Sequence, residues 1–181
     1  MSRISIPSLE QSAEATKPLL AAVQKQLGVT PNLMKLVGHS PASLEGYLSL
    51  NGALAKGSLN VQLRERIALT IAEYNACDYC LSAHDYLGRN VAKISDAEIN
   101  AARHAHSDDP RTDAALKFAL RVAQSHGRVS DTELASLRQV GFDEASVIEI
   151  VANVAVNVLT NYINNVALTD IDFPEVKAKA A

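Results

Sequence analysis

The chain has 181 residues, of which 48% are hydrophobic and 20% are charged, and it carries a net charge of −3 at pH 7. This balance is typical of a soluble globular protein that is large enough to bury a core without a disulfide or a metal to stabilise it. The negative charge argues against nucleic acid as a partner, because phosphate binding requires a basic surface. We therefore expect one domain over residues 1–181.

Membrane insertion and secretion are also disfavoured. The most apolar stretch, residues 147–159, is interrupted by Glu149, Asn153 and Asn157, whereas a membrane-spanning helix needs roughly 20 predominantly apolar residues. The amino-terminal residues lack the apolar run and the cleavage site of a secretory signal. We expect a cytoplasmic protein with no membrane partner, in which cysteines remain thiols unless their function is redox chemistry.

Helix signals occur throughout the chain, and no segment alternates as a β-strand does. In chain order, start signals stand at Thr30-Pro31, Ser40-Pro41, Asn60, Ser95, Asp109-Pro110, Ser130 and Asp143, with stops at Lys56-Gly57, Gly127 and Gly141. The serines at 95 and 130 each precede a glutamate by three residues, as in a capping box. The predicted fold class is all-α, a single-domain helical bundle whose ends, residues 1–8 and 174–181, are expected to be mobile.

The most informative local feature is a weak point in the helical pattern at Asn75-Ala76. Asparagine favours caps and turns, because its side chain competes for nearby backbone groups. We therefore expect one helix to end near Tyr74 and another to start around Cys77. The chain is expected to reverse between them.

The reversal decides whether two distant side chains can cooperate. In one straight helix, Glu65 and His84 would lie roughly 28 Å apart at about 1.5 Å per residue. In an antiparallel hairpin, the two residues are about equally far from the turn and would lie side by side. Glu73, four residues before Cys77, is a weaker candidate for the same site, because its direction across the turn is uncertain.

Both cysteines of the chain lie just after this turn, at Cys77 and Cys80, and His84 follows four residues later. Spacings of three and four place side chains on one helical face. A helix start and a neighbouring histidine both favour a thiolate. An unperturbed thiol with a pKa near 8.5 is only about 3% ionised at pH 7, so that such help is needed for nucleophilic sulfur.

Two structural readings of the cysteine pair remain as alternatives. A disulfide between residues three apart closes a very short loop, and the chain-entropy estimate of its stabilisation is only about 2 kcal/mol. A zinc site could use both thiols and His84, but no second Cys-x-x-Cys or histidine pair stands at finger-like spacing. Redox chemistry is favoured over both, and we expect no metal and no cofactor.

A polar stripe also marks the last helix. Asparagines recur on an otherwise apolar sequence at spacings of three or four, at Asn153, Asn157, Asn161 and Asn164 or Asn165. Such a stripe must face water, a subunit interface or the cavity of the site. An interface or a buried hydrogen-bond network is the preferred interpretation.

The spacing Glu-x11-Cys-x2-Cys-x3-His resembles the alkylhydroperoxidase D branch of the carboxymuconolactone decarboxylase superfamily. The residues that carry the likeness are Arg64, Glu65, Asn75, Cys77, Cys80 and His84, with 161–164 and 169–174 resembling its peroxidase-related subgroup. The likeness spans roughly 30–174, which we take as the core of the domain, with a redox motif at 65–84. Cys-x-x-Cys alone would be a weak signal, but the combined spacing of the glutamate, the two cysteines and the histidine is specific.

The resemblance implies an all-α homo-oligomer that reduces hydrogen peroxide or organic hydroperoxides. Cys80 would be the peroxidatic thiol and Cys77 the resolving one, with condensation of a sulfenic acid to a disulfide. His84 would take the proton of Cys80 and Glu65 would orient His84. The implied reductant is a dithiol or a lipoylated protein.

The chain departs from some relatives at Tyr79, where they carry a histidine between the two cysteines. Tyrosine is a poor base at neutral pH, and we expect it to pack and to hydrogen-bond through its hydroxyl. Two alternative functions also remain: a lyase of the carboxymuconolactone-decarboxylase type, and a non-enzymatic thiol redox sensor. The paired thiols argue against the lyase, because proton transfer beside a carbonyl requires no disulfide.

Overall fold

The computed structural model describes residues 1–179, and that part of the chain contains nine α-helices and no β-strand. The helices are α1 (Lys17–Leu27), α2 (Asn32–Val37), α3 (Pro41–Leu54), α4 (Val61–Tyr74), α5 (Asp78–Asn90), α6 (Asp96–Arg103), α7 (Pro110–Ser125), α8 (Asp131–Gln139) and α9 (Glu144–Ala167). The predicted all-α class is therefore confirmed.

Most helices begin where the capping signals predict. Ser95 and Ser130 form complete capping boxes at α6 and α8, and the side chain of Asp143 accepts a hydrogen bond at the start of α9. The prediction for α2 is wrong by one position, because Pro31 rather than Thr30 occupies the N-cap. The Thr30 hydroxyl instead donates to the side chain of Gln24.

Helix α4 is the centre of the bundle, since α5, α6, α7 and α9 all pack against it. Its side chains Ile67, Leu69 and Ile71 are fully buried. The core also includes Leu20 and Val23 of α1. It therefore begins earlier in the chain than the expected span 30–174.

Helix α9 forms one wall of the core and is the longest helix of the described chain. By length and composition alone it could cross a membrane, but half of its most apolar window is buried inside the fold. Its asparagines at 153, 157, 161 and 164 are buried as well. The helix is thus a core element with a buried polar stripe, and one such helix does not indicate a membrane protein.

The predicted reversal between α4 and α5 is present, and hydrogen bonds join it to α9. Asn75 ends α4, and Ala76 adopts a left-handed conformation with φ of 49°. The side chain of Asn75 donates to Asn161 Oδ1 at 2.9 Å, and Asn165 Nδ2 donates to the carbonyl of Asn75 at 2.7 Å. Cys77 then occupies the N-cap of α5.

The carboxyl-terminal segment packs along α5, in contrast to the mobile end expected for 174–181. Its backbone amides donate to side chains of the hairpin: Val176 to Ser82, Ala178 to Asp78 and Lys179 to Glu73. Residues 180–181 lie outside the described part of the chain. The amino terminus is also held, because the amide of Arg3 donates to the carbonyl of Ala167.

The left-handed residue at the reversal gives a stability test. Ala76 is solvent-exposed, so that substitutions there change the backbone preference and little else. A left-handed conformation costs a residue with a Cβ about 1–2 kcal/mol, and glycine avoids most of this cost. We expect Ala76→Gly to be neutral or stabilising by up to about 1 kcal/mol in denaturant unfolding.

The β-branched variant Ala76→Val should destabilise the protein by more than about 1 kcal/mol, because branched residues are rare at positive φ. Val91→Ala, at an exposed residue with negative φ, serves as the control. If the valine variant is as stable as the wild type, the left-handed reversal is contradicted.

Candidate active site

The reversal brings the predicted acid and base into direct contact. Glu65 Oε2 lies 2.8 Å from Nδ1 of His84, with both side chains mostly buried. Glu65 stands on α4 and His84 on α5, so that the contact joins the two arms of the hairpin. This is the juxtaposition that the spacing around Asn75-Ala76 predicts.

The two thiols lie at the start of α5, and both are free and buried. Cys77 Sγ accepts a hydrogen bond from the amide of Cys80 at 3.3 Å, as an N-cap side chain does. Cys80 Sγ accepts a hydrogen bond from Asn164 Nδ2 of α9 at 3.2 Å. A backbone amide at the start of α5 therefore binds the Cys77 sulfur, whereas a side chain of α9 binds the Cys80 sulfur.

The surroundings of Cys80 favour its thiolate. Burial alone would raise the pKa of Cys80. Hydrogen bonds from Cys77 and Asn164, the charge of His84 and the amide of Asn161 outweigh burial and lower the pKa to about 7. A much larger share of Cys80 is thus ionised near neutral pH than the about 3% of an ordinary thiol.

The pKa of Cys77 shifts in the opposite direction to that of Cys80. Its hydrogen bond to Cys80 raises the pKa of Cys77 far above the ordinary range, and burial and the charges of Cys80 and Asp78 add to this effect. Only one of two thiols in close contact can ionise readily, because two neighbouring negative charges repel. Cys80 is therefore the thiol of the pair that ionises more readily, and Cys77 is its protonated neighbour.

His84 is biased towards the protonated form. Burial by itself lowers the pKa of His84, but the charge and the hydrogen bond of Glu65, together with the charge of Cys80, raise it above the ordinary value. Within residues 1–179, no direct hydrogen bond joins the imidazole to Cys80 Sγ. His84 consequently acts on the sulfur through its charge, one helical turn away.

Tyr79 points away from this chemistry. Its hydroxyl donates to Asp172 Oδ1 at 2.8 Å and accepts from the amide of Leu33 at 3.1 Å. Its ring packs edge-on against Phe173. Burial raises the pKa of Tyr79 further above its ordinary value, so the predicted packing role with a hydroxyl partner is confirmed.

Glu73, the weaker acidic candidate, lies outside the site. Its carboxylate forms an ion pair with Arg103 at 2.6 Å and accepts from the amide of Lys179. Sequence reasoning missed Tyr47 of α3, whose pKa is raised to about 12 by burial and by the charges of Glu65 and Cys80. Nothing in the sequence around Tyr47 indicates that it lies near the thiols.

A cavity of about 640 Å³ borders the site. It is lined by Asn164, Tyr79 and Asp78 and by part of the carboxyl-terminal segment, including Ile171 and Phe173. Cys80 itself is only 3% exposed and Cys77 is fully buried. Asn164 is thus the residue that touches both the cavity and the reactive sulfur.

Metal binding receives no support from the arrangement. In the part of the chain that the structure describes, no group of three or more histidine, cysteine, aspartate or glutamate side chains is suited to hold an ion. The imidazole Nδ1 of His84 is engaged by Glu65, and Sγ of Cys80 accepts from Asn164. These contacts fit an acid–base and thiolate site.

The family model described as the carboxymuconolactone decarboxylase family matches residues 41–125 of the chain. This range covers α3 to α7 and contains Glu65, both cysteines and His84. The chain matches none of the curated proteins at the sequence level.

Solved structures resemble the chain over nearly its whole length. An uncharacterized peroxidase-related protein from Ralstonia eutropha JMP134, described as an alkylhydroperoxidase AhpD core, is 26% identical with a TM-score of 0.84, covering 94% of this chain and 92% of that one. A peroxidase-related protein from Silicibacter sp. TM1040 is 20% identical with a TM-score of 0.82, covering 93% and 91%. A variant of the debrominase Bmp8 in complex with 2,3,4-tribromopyrrole is 22% identical with a TM-score of 0.75, covering 93% and 91%.

These structural likenesses show that the chain has the all-α fold of the alkylhydroperoxidase AhpD core. The match of the carboxymuconolactone decarboxylase family model over the helices that carry the thiols agrees with this fold and supports the resemblance to the alkylhydroperoxidase D-like branch of that superfamily.

The contact between Glu65 and His84 predicts how Cys80 titrates. Glu65→Gln removes the negative charge that raises the pKa of His84, so that less of His84 is protonated at neutral pH. Its positive charge then stabilises the Cys80 thiolate less. We expect the ionisation midpoint of Cys80 to rise from about 7 towards about 8.5, the value of an ordinary thiol.

The measurement is the ultraviolet absorbance of the thiolate against pH in the reduced protein. Cys77 does not interfere, because its raised pKa keeps it protonated through this range. Glu73→Gln is the matched control, since it removes the second glutamate of α4, which does not contact His84, and it should leave the midpoint near 7. An unchanged midpoint in Glu65→Gln would show that the pair does not tune the sulfur.

Proposed function

We propose that the chain is a thiol peroxidase that reduces hydrogen peroxide or small organic hydroperoxides. The observation that carries the proposal is a buried Cys80 whose sulfur accepts from Asn164, with the paired Glu65 and His84 one helical turn away and a second thiol three residues before it. A low thiol pKa supplies the nucleophile, and the adjacent thiol supplies the means to form a disulfide.

The reaction begins with the Cys80 thiolate. Sulfur attacks the terminal oxygen of the hydroperoxide, a sulfur–oxygen bond forms and the oxygen–oxygen bond breaks. Sulfur is oxidised to the sulfenic acid, and the peroxide is reduced to an alkoxide or hydroxide. Protonated His84 provides the proton that converts the leaving oxygen to an alcohol or water, while Glu65 holds the imidazole in position.

Cys77 completes the oxidative half of the cycle. Its thiol attacks the sulfenic sulfur of Cys80, a disulfide forms and water leaves. An external dithiol, such as the dihydrolipoyl group of a lipoylated protein, then reduces the disulfide by thiol–disulfide exchange and is itself oxidised. We place this chemistry in the cytoplasm, where dithiol reductants are available and nucleic acid or membrane plays no part.

Three other activities are compatible with the fold and are less well supported. A lyase would use acid–base residues without the thiol pair, and a redox sensor would oxidise without sustained turnover. The structurally similar debrominase binds a brominated pyrrole with the same fold. At 22% identity this likeness supports the fold of the chain and not its substrate. The buried thiol pair, with Cys80 alone biased to the thiolate, favours the peroxidase.

The test is peroxide consumption with a dithiol reductant by the wild type and three variants. Cys80→Ser should be inactive, because it lacks the nucleophile. Cys77→Ser should turn over poorly and accumulate sulfenic acid at Cys80, which a dimedone-type reagent detects by mass spectrometry. His84→Ala should lose about 100-fold in rate, as is common when a general acid–base is removed.

His104→Ala, at an exposed histidine, is the matched control and should retain full activity. Equal activity in all of these proteins would exclude the peroxidase. Lyase activity would survive loss of both thiols, and a single round of oxidation without turnover would indicate a sensor.

We further propose that the protein assembles as a homo-oligomer through the outer face of α9. Large apolar side chains stand exposed along this face at helical spacing, at Ile148, Leu159, Tyr162 and Val166, which are 68%, 45%, 57% and 64% exposed. A continuous exposed apolar patch of this kind is typical of an interface between subunits. A second copy of the same helix offers a matching surface.

The oligomer gives a prediction on mass. The wild type should be larger than the 19.4 kDa chain in light scattering, and the double variant Leu159→Glu, Tyr162→Glu should run as a monomer, because charge cannot be buried in an apolar interface. Val91→Glu, at a residue that is 60% exposed after α5, is the control and should keep the wild-type mass. A monomeric wild type would refute the assembly.

A further inference from the structure

Helix α9 places two carboxamides against the region of the reactive sulfur. Asn161 is fully buried and Asn164 is 2% exposed. Asn164 Nδ2 donates to Cys80 Sγ at 3.2 Å, and the amide of Asn161 lies near enough to lower the pKa of Cys80 without forming a hydrogen bond to its sulfur. Both residues therefore approach the sulfur from α9, whereas His84 stands on the same helix as Cys80.

Each of these carboxamides has one atom engaged and one atom free. Asn161 Oδ1 accepts from Asn75 Nδ2, and its own Nδ2 has no partner among the described residues. Asn164 Nδ2 is engaged by sulfur, and its Oδ1 has no partner there either. Buried polar atoms are nearly always hydrogen-bonded, so that a free donor and a free acceptor in one small region indicate a polar ligand.

The other buried asparagines of α9 show what a purely structural role looks like. Asn153 Nδ2 donates to the carbonyl of Glu149, and Asn157 Nδ2 donates to the carbonyl of Asn153. Both amide groups thus donate within their own helix. Among the fully buried side-chain atoms of the stripe, only Asn161 Nδ2 and Asn164 Oδ1 lack a partner in the described part of the chain.

The orientation of the pair is fixed from outside the site. Because Asn75 donates to Asn161 Oδ1, the amide group of Asn161 is held with its Nδ2 directed away from Asn75. Asn75 is the residue at which α4 ends, so that the reversal positions this donor as well as the acid–base pair. Asn164 also lines the cavity of about 640 Å³, which gives a small solute a path towards it.

We propose that Asn161 and Asn164 bind the two oxygens of the hydroperoxide, and this inference rests on the proposed peroxidase function. Asn164 Oδ1 accepts a hydrogen bond from the terminal O–H, which brings that oxygen to Cys80 Sγ. Asn161 Nδ2 donates to the inner oxygen. A hydroperoxide offers one donor and one acceptor on adjacent atoms, which complements the two unpaired groups.

The same contacts assist the bond changes. As Cys80 Sγ bonds to the terminal oxygen and the oxygen–oxygen bond breaks, the electron pair of that bond moves to the inner oxygen. Asn161 Nδ2–H stabilises the negative charge that develops there, as donors of an oxyanion hole do. The proton that neutralises the leaving oxygen comes from His84, so that atoms and charge balance.

The experiment compares two reactions of the same thiolate in the full-length reduced protein. One is oxidation of Cys80 by hydrogen peroxide in a single turnover, and the other is alkylation by iodoacetamide, which contains no peroxide bond. Both are measured at a pH above the midpoint of each variant, where Cys80 is fully ionised. We expect Asn161→Ala to reduce the peroxide rate about tenfold to 100-fold, while alkylation changes little.

Asn164→Ser is the second variant, which removes the acceptor with a smaller change in packing, and it should lower the same ratio of rates. Asn157→Ala is the matched control, because it truncates a buried asparagine of α9 that does not contact sulfur, and the ratio should stay at the wild-type value. If Asn161→Ala does not fold, the result for Asn164→Ser decides the question.

The inference is overturned if the variants and the control show the same ratio of peroxide to alkylation rates as the wild type. If the ratio stays unchanged because both reactions slow equally, the two asparagines have a structural role and the inference is overturned as well. A wild type whose ionised Cys80 reacts with iodoacetamide but not with peroxide would contradict the proposed function itself, and this outcome is distinct from the other two.

Discussion

The contact between Glu65 and His84 across the hairpin is the interaction on which the rest of the site depends. A carboxylate 19 positions before the imidazole can reach it only because the chain reverses at Asn75-Ala76, with Ala76 in a left-handed conformation. Without the carboxylate, burial would lower the pKa of His84, and the imidazole would lose the charge that stabilises the Cys80 thiolate. A backbone feature of two residues thus controls the ionisation of a sulfur atom on the next helix.

Helix α9 provides the second constraint, because it braces the reversal and reaches the sulfur with the same polar stripe. Asn161 and Asn165 hold Asn75, and Asn164 donates to Cys80. The asparagines are costly in an apolar helix unless they are paired. The buried asparagines thus link the stability of the hairpin to the ionisation of Cys80. The outer face of the same helix is apolar and exposed.

Sequence reasoning located the hairpin and its acid–base pair, because cap signals and helical spacing are local properties. The capping boxes at Ser95 and Ser130 and the end of α4 near Tyr74 follow from short-range chemistry. The contact of Asn164 with Cys80 could not be predicted, since spacing identifies a buried stripe but not the helix that it faces. The start of α2 was missed for a similar reason, because the Thr30 hydroxyl pairs with Gln24 of another helix.

Nuclear magnetic resonance titration of the His84 imidazole nitrogens tests directly whether Glu65 raises the pKa of His84. Long-range proton–nitrogen spectra report the protonation of each ring nitrogen, and a comparison with the Glu65→Gln protein isolates the effect of the carboxylate. We expect His84 to titrate above its ordinary pKa in the wild type and at a lower pH in the variant. Identical titration curves in the two proteins would contradict it, because the carboxylate would then have no influence on the imidazole.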